Sequence, residues 1–122
     1  MAVCLGIGMT ALEHKVPPEI PIALGSSESG FTHAVRDNGA EGPLQVVMKY
    51  VDCDSCDTTT AGIIVLKKNI SKYGIYTGLC VYAMGNKGVE CKNNRYVNMV
   101  LSRSRKLEKR WKPLHRKKPS VM

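Results

Sequence analysis

Between residues 44 and 101 the apolar residues fall in short runs divided by turn-forming sequence, and this pattern most limits what the chain can fold into. Leu44-Gln45-Val46-Val47-Met48-Lys49-Tyr50-Val51 is β-branched, compact and followed by an Asp-rich stretch. Residues 58–66 are a second run, with Thr59, Thr60, Ile63, Ile64 and Val65 suited to a pleated surface. Residues 73–84 are a third, closed by the turn Gly85-Asn86-Lys87-Gly88, after which residues 89–91 start a return strand and Tyr96-Val97-Asn98-Met99-Val100-Leu101 completes the series. Strand centres about 15 to 20 residues apart, with no clear amphipathic helix between them, favour antiparallel pairing over alternating strands and helices. The sequence therefore predicts a mainly β fold, a small antiparallel sheet of about four to five strands, with Gly62, Gly74 and Gly78 marking bulges or bends.

The flanks read differently. Residues 1–43 predict an irregular, Pro/Gly-rich N-terminal segment. Pro17, Pro18 and Pro21 oppose a continuing helix, residues 25–30 (Gly-Ser-Ser-Glu-Ser-Gly) read as a loop, and two further turn signals surround a short strand at residues 31–36. Either that segment or a second copy of the chain, in a homo-oligomer, would cover the sheet's apolar face, and the sequence does not choose between them. Residues 44–101 are the β-rich core, and residues 102–122 a basic tail that is partly helical or disordered. No stretch reaches the roughly 18 to 20 apolar residues of a membrane span, so no integral membrane association is expected.

Charge is segregated as sharply as apolarity. The chain carries a formal net charge of +8, and nine of its 18 basic residues lie in residues 103–118 against one acid, Glu108. The remainder is electroneutral. Arg103, Arg105, Lys106, Lys109, Arg110, Lys112, Arg116, Lys117 and Lys118 form a cluster that would displace counterions from a polyanion, and Trp111 adds a ring on which an unpaired base can stack. This pairing of cations with one aromatic favours RNA or single-stranded DNA over groove reading. Ser102 and Ser104, beside the first arginines, are positions where phosphorylation would weaken such binding.

Five cysteines, an odd number, are too few for a disulfide-dense extracellular framework, and the first ten residues lack a secretory leader's pattern. These point to a reducing intracellular setting, nucleus or cytoplasm. Cys53-Asp54-Ser55-Cys56 has the spacing of half a zinc site, and Cys80 with Cys91 are the candidate second pair, so zinc is the one cofactor to consider and otherwise none is expected. Redox use of that motif is disfavoured, because Asp52, Asp54 and Asp57 surround the sulfurs with negative charge.

The sequence shows no recognisable catalytic constellation, and residues 25–30 lack the lysine of a phosphate-cradling loop. The expectation is a non-enzymatic nucleic-acid-binding protein, with the layout of small viral accessory, movement or coat-type proteins. Two alternatives stand beside it. One is an interaction or oligomerisation module whose tail is only a nuclear localisation signal for an import receptor. The other is a zinc-stabilised adaptor.

Overall fold

The computed structural model describes residues 2–85 and 91–116, the last six of these in backbone only. Five helices and one two-stranded sheet make up those residues: α1 (Ala2–Glu13), α2 (Glu19–Ser29), β1 (Ala40–Glu41), β2 (Val46–Val47), α3 (Thr58–Tyr73), α4 (Ile75–Met84) and α5 (Arg95–Arg116), with a single 3-10 turn at Met48–Tyr50. The expected mainly β fold and its four-to-five-stranded β-sheet are overturned: the molecule is helical. Its sheet is a hairpin in which Ala40 faces Val47 and Glu41 faces Val46, extended by one bridge from Val35 to Glu41.

Capping and periodicity explain why β-branched runs became helices. Residues 58–66 begin α3 because the Asp57 carboxylate accepts a hydrogen bond from the Thr60 backbone N–H at 2.7 Å, satisfying a donor that the first turn leaves free. Along α3 the buried Gly62, Ile63 and Leu66 and the half-buried Ile70 recur at helical spacing, so one face enters the core. Gly74, at φ 87°, breaks the third predicted strand into the end of α3 and the whole of α4. At residues 96–101 the cap is Asn94, whose Oδ1 accepts from the backbone N–H of Tyr96 at 2.9 Å and of Val97 at 3.1 Å. The expected return strand at residues 89–91 lies mostly outside the described residues.

The N-terminal third is helical over Ala2–Glu13 and Glu19–Ser29 and irregular between those helices and from residue 30 to 39. Pro17 and Pro18 precede α2, and Pro21 sits in its first turn, where a backbone N–H has no intrahelical partner to lose. At its far end the Gly30 N–H, at φ 65°, returns to the Ser26 carbonyl. Ile7, Ala11, Ile20 and Leu24 from α1 and α2 join Leu44, Ile63, Leu66, Leu79, Val97 and Val100 in one apolar cluster. The expected basic tail is the continuation of α5 through residue 116, and its Ser104 and Leu107 still face inward.

Two glycines set how closely the helices approach. A Cβ at Gly78 would lie 2.9 Å from the backbone of Asn69 and Ile70, so α4 rests directly on α3. A Cβ at Gly62 would lie 2.9 Å from Leu44 Cβ, so the hairpin seats on α3 at that position. The Ser29 hydroxyl, which donates to the Pro43 carbonyl at 2.7 Å, holds the hairpin against the end of α2.

Candidate active site

Glu28 occupies the last turn of α2 and is half-buried. Its Oε2 accepts a hydrogen bond from the hydroxyl of Tyr96, on the first turn of α5. Tyr82 of α4 stands close enough to feel the Glu28 charge and donates its own hydroxyl to the Leu44 carbonyl at 2.8 Å. Three helices and the hairpin therefore converge on one carboxylate, and the contact to Tyr96 leaves its second oxygen, Oε1, for another partner.

The segment between α2 and the hairpin is tied down around it. Ser29 Oγ donates to the Pro43 carbonyl at 2.7 Å and accepts from the Thr32 N–H at 3.2 Å. Arg36 Nη2 donates to the Glu28 backbone carbonyl at 2.6 Å. Gln45 is buried at φ 53°, a left-handed conformation rare for a residue with a side chain, and its Nε2 donates to the Ala34 and Gly42 carbonyls at 2.9 Å each. Its Oε1 is buried without a partner, and a strained backbone with an unsatisfied acceptor is a combination that folds tolerate mainly at functional sites.

Electrostatics keep both phenols protonated. Burial, then the Glu28 charge, pushes Tyr82 far above its ordinary value of 10.0. Burial also raises Tyr96, reinforced by its hydrogen bond to Glu28 and by the Glu28 and Tyr82 charges, with only Arg36 opposing. Tyr96 is therefore a fixed donor to Glu28 across the neutral range.

The basic residues singled out from the sequence lie along α5. Arg105, Lys106, Lys109 and Arg110 are exposed, whereas Arg103 turns back to α2 and donates to Ser27 Oγ at 2.9 Å and Ser26 Oγ at 3.5 Å. Trp111, Lys112 and Arg116 belong to the part of α5 described in backbone only, and Lys117 and Lys118 lie outside the described residues. Ser102 is exposed, but Ser104 is buried against the core and closed to modification in the folded state. The four candidate zinc ligands are not brought together: Cys53 pairs with Cys56 and Cys80 with Cys91, each as a disulfide, and Cys4 is the free thiol. Among the described residues no group of three or more His, Cys, Asp or Glu side chains is placed to hold a metal ion.

Sequence reasoning passed over Glu28, Tyr82, Gln45 and Tyr96. The signal available was a single acidic residue inside an otherwise small and hydroxylated stretch, residues 25–30, which reads as a loop once the prolines before it are taken as helix breakers. Comparison with family models, curated proteins and solved structures finds no match.

Proposed function

We propose that this chain is an enzyme that cleaves glycosidic bonds in a polymeric glycan, with Glu28 as its proton-transferring group. The observation that carries the reading is the Glu28 carboxylate fixed through one oxygen by Tyr96, at the junction of α2, α4, α5 and the hairpin. Glycosidic bonds are acetals, and their cleavage requires above all a proton on the departing oxygen. Amide or phosphodiester cleavage through a protein nucleophile would need an activated hydroxyl or thiol beside the carboxylate. The hydroxyl nearest in sequence, Ser29 Oγ, is committed to the Pro43 and Gly25 carbonyls. In the proposed reaction Glu28 first takes up a proton from solvent and then gives it to the bridging oxygen as the bond from that oxygen to the anomeric carbon breaks. Glu28 then takes a proton from the hydroxyl or water that attacks the anomeric carbon, which restores the acid.

Tyr96 is a positioning residue in this scheme: it holds Oε2 and directs Oε1 to the substrate. Most enzymes of this kind use a second carboxylate, and Asp37 and Glu41 lie on the segment that Ser29 and Arg36 fasten to α2.

The test is release of reducing or terminal-modified sugar ends from β-linked glycans, with chitin oligosaccharides as the neutral probe and bacterial sacculi as the anionic one. Glu28→Gln should lower turnover by roughly a hundredfold or more while the circular dichroism spectrum is unchanged. Tyr96→Phe should cause a smaller loss, read in kcat more than in KM. Absence of turnover above the Glu28→Gln background on both glycans would refute the proposal.

A second reading, non-enzymatic binding of RNA or single-stranded DNA, is favoured by a separate observation, the exposure of Arg105, Lys106, Lys109 and Arg110 along α5. Deleting residues 103–122 is not a clean test, because Ser104 and Leu107 pack inward. The paired substitutions Arg105→Gln and Lys109→Gln should instead weaken RNA binding and flatten its salt dependence by about two ions' worth of slope. An unchanged slope would remove this reading.

A further inference from the structure

We propose that the face formed by α1 and the neighbouring side of α5 docks on an anionic lipid bilayer. α1 carries no charged residue from Ala2 to Leu12. One face, Ile7, Gly8 and Ala11, is buried in the core, yet Leu5, Met9 and Leu12, at helical spacing on the other, are 60%, 64% and 54% exposed. A helix apolar on both faces needs cover on both, and the protein supplies only one. Between α1, α2 and α5 lies an apolar concavity of about 360 Å³ lined by Leu5, Met9, Leu12, Ile22 and Leu107, with Glu19 and Arg110 as its charged residues. It is continuous with a second hollow, sharing Cys4, Ile22, Leu107 and Arg110, to which Arg103 and Lys106 contribute.

An apolar stripe bordered by cations is what an interfacial helix presents to acyl chains and phosphate headgroups together. α5 turns its own apolar face, Val97, Val100 and Leu107, into the core, and α1 provides an exposed one. The charge pattern chooses this occupant over the others. A second copy meeting this face symmetrically would bring Arg103, Lys106 and Arg110 of both copies together, at a repulsive cost. Nucleic acid would satisfy the cations and leave Leu5, Met9 and Leu12 facing water. A soluble single-chain lipid would be enclosed, whereas Leu5, Met9 and Leu12 line an open concavity and stay more than half exposed.

Cosedimentation of the full chain with large unilamellar vesicles tests the proposal, using roughly equal phosphatidylglycerol and phosphatidylcholine in one arm and phosphatidylcholine alone in the other. The chain should partition onto the mixed vesicles and far less onto the neutral ones. The pair Leu5→Gln and Met9→Gln should reduce partitioning by roughly tenfold, as should Lys106→Gln with Arg110→Gln, while Arg105→Gln with Lys109→Gln on the opposite flank should have a much smaller effect. Circular dichroism checks that each variant folds, and Leu12→Gln replaces the first pair if it does not. Unchanged binding of the apolar variants would mean adsorption by charge alone and would overturn the proposal. So would a wild-type dimer in sedimentation velocity that the Leu5 and Met9 substitutions convert to monomer, because the covered face would then belong to a second copy.

Discussion

At the residue scale the two half-buried phenols behave as one unit with Glu28. Tyr82 and Tyr96 both have their ionisation pushed upward, by burial first and by the Glu28 carboxylate second. An unfolded chain ionises its tyrosines near pH 10, so their contribution to stability is complete below about that pH and is lost as the pH rises toward the folded-state values. Base titration followed by circular dichroism should therefore show unfolding that sets in above about pH 10, and replacing both tyrosines by Phe should move its onset upward. An unmoved onset would mean that the phenols ionise in the folded state. At neutral pH the same change carries its own cost. Tyr82→Phe strips the Leu44 carbonyl of its donor, and the loss should be about 1 to 2 kcal/mol in urea unfolding.

At the scale of single elements, caps decided what the side-chain pattern left ambiguous. Replacing the cap by Asp57→Ala should destabilise α3 by about 1 kcal/mol at neutral pH. The Thr60 backbone and side-chain hydrogen bonds hold the Asp57 carboxyl below its usual value. Stability from this cap is therefore present above about pH 4 and is lost as the pH falls further, so the variant and wild type should converge in acid. A difference that persists at pH 2 would show that the charge is not what matters. The same residue explains how much of the fold was legible. Asp57 reads equally well as the end of an acidic turn or as the start of a helix, and the run Ile63-Ile64-Val65 tipped the balance toward strand. Val97, Val100, Leu101, Ser104 and Leu107 do show the helical period across α5, but reading residues 96–101 apart from the basic tail cut that pattern in half. Glu28 was legible only after α2 was, because a carboxylate in a loop and one on a helix facing a tyrosine 68 residues away are the same letter in the sequence. The cationic run needed no fold to be seen, and its split between one flank beside α1 and another facing away is tertiary information.

At the scale of the whole molecule, packing and covalent links together hold the hairpin and α5 in place around Glu28. Gly78 lets α4 lie on the α3 backbone with no room for a methyl group, so Gly78→Ala should cost about 1 to 3 kcal/mol despite the better helix propensity of alanine. The Cys80–Cys91 disulfide then ties the end of α4 to the segment that leads into α5, and through it to Tyr96. Closing a loop of this length contributes about 2 to 3 kcal/mol by restricting the unfolded chain. Thiol titration of the denatured, unreduced protein should find one reactive sulfur, Cys4, and reduction should expose all five. Cys80→Ser with Cys91→Ser should lower the melting temperature by about 8 °C or more in a chain of this size. The Cys53–Cys56 bridge spans only three positions ahead of α3 and joins no distant elements, so its removal should change the melting temperature far less. If the two double variants melt alike, the longer bridge is not what keeps α5 and its tyrosine against Glu28. The work of alignment would then fall to the apolar contacts of Val97 and Val100 and to the hydrogen bonds that Tyr96 and Arg103 make to α2.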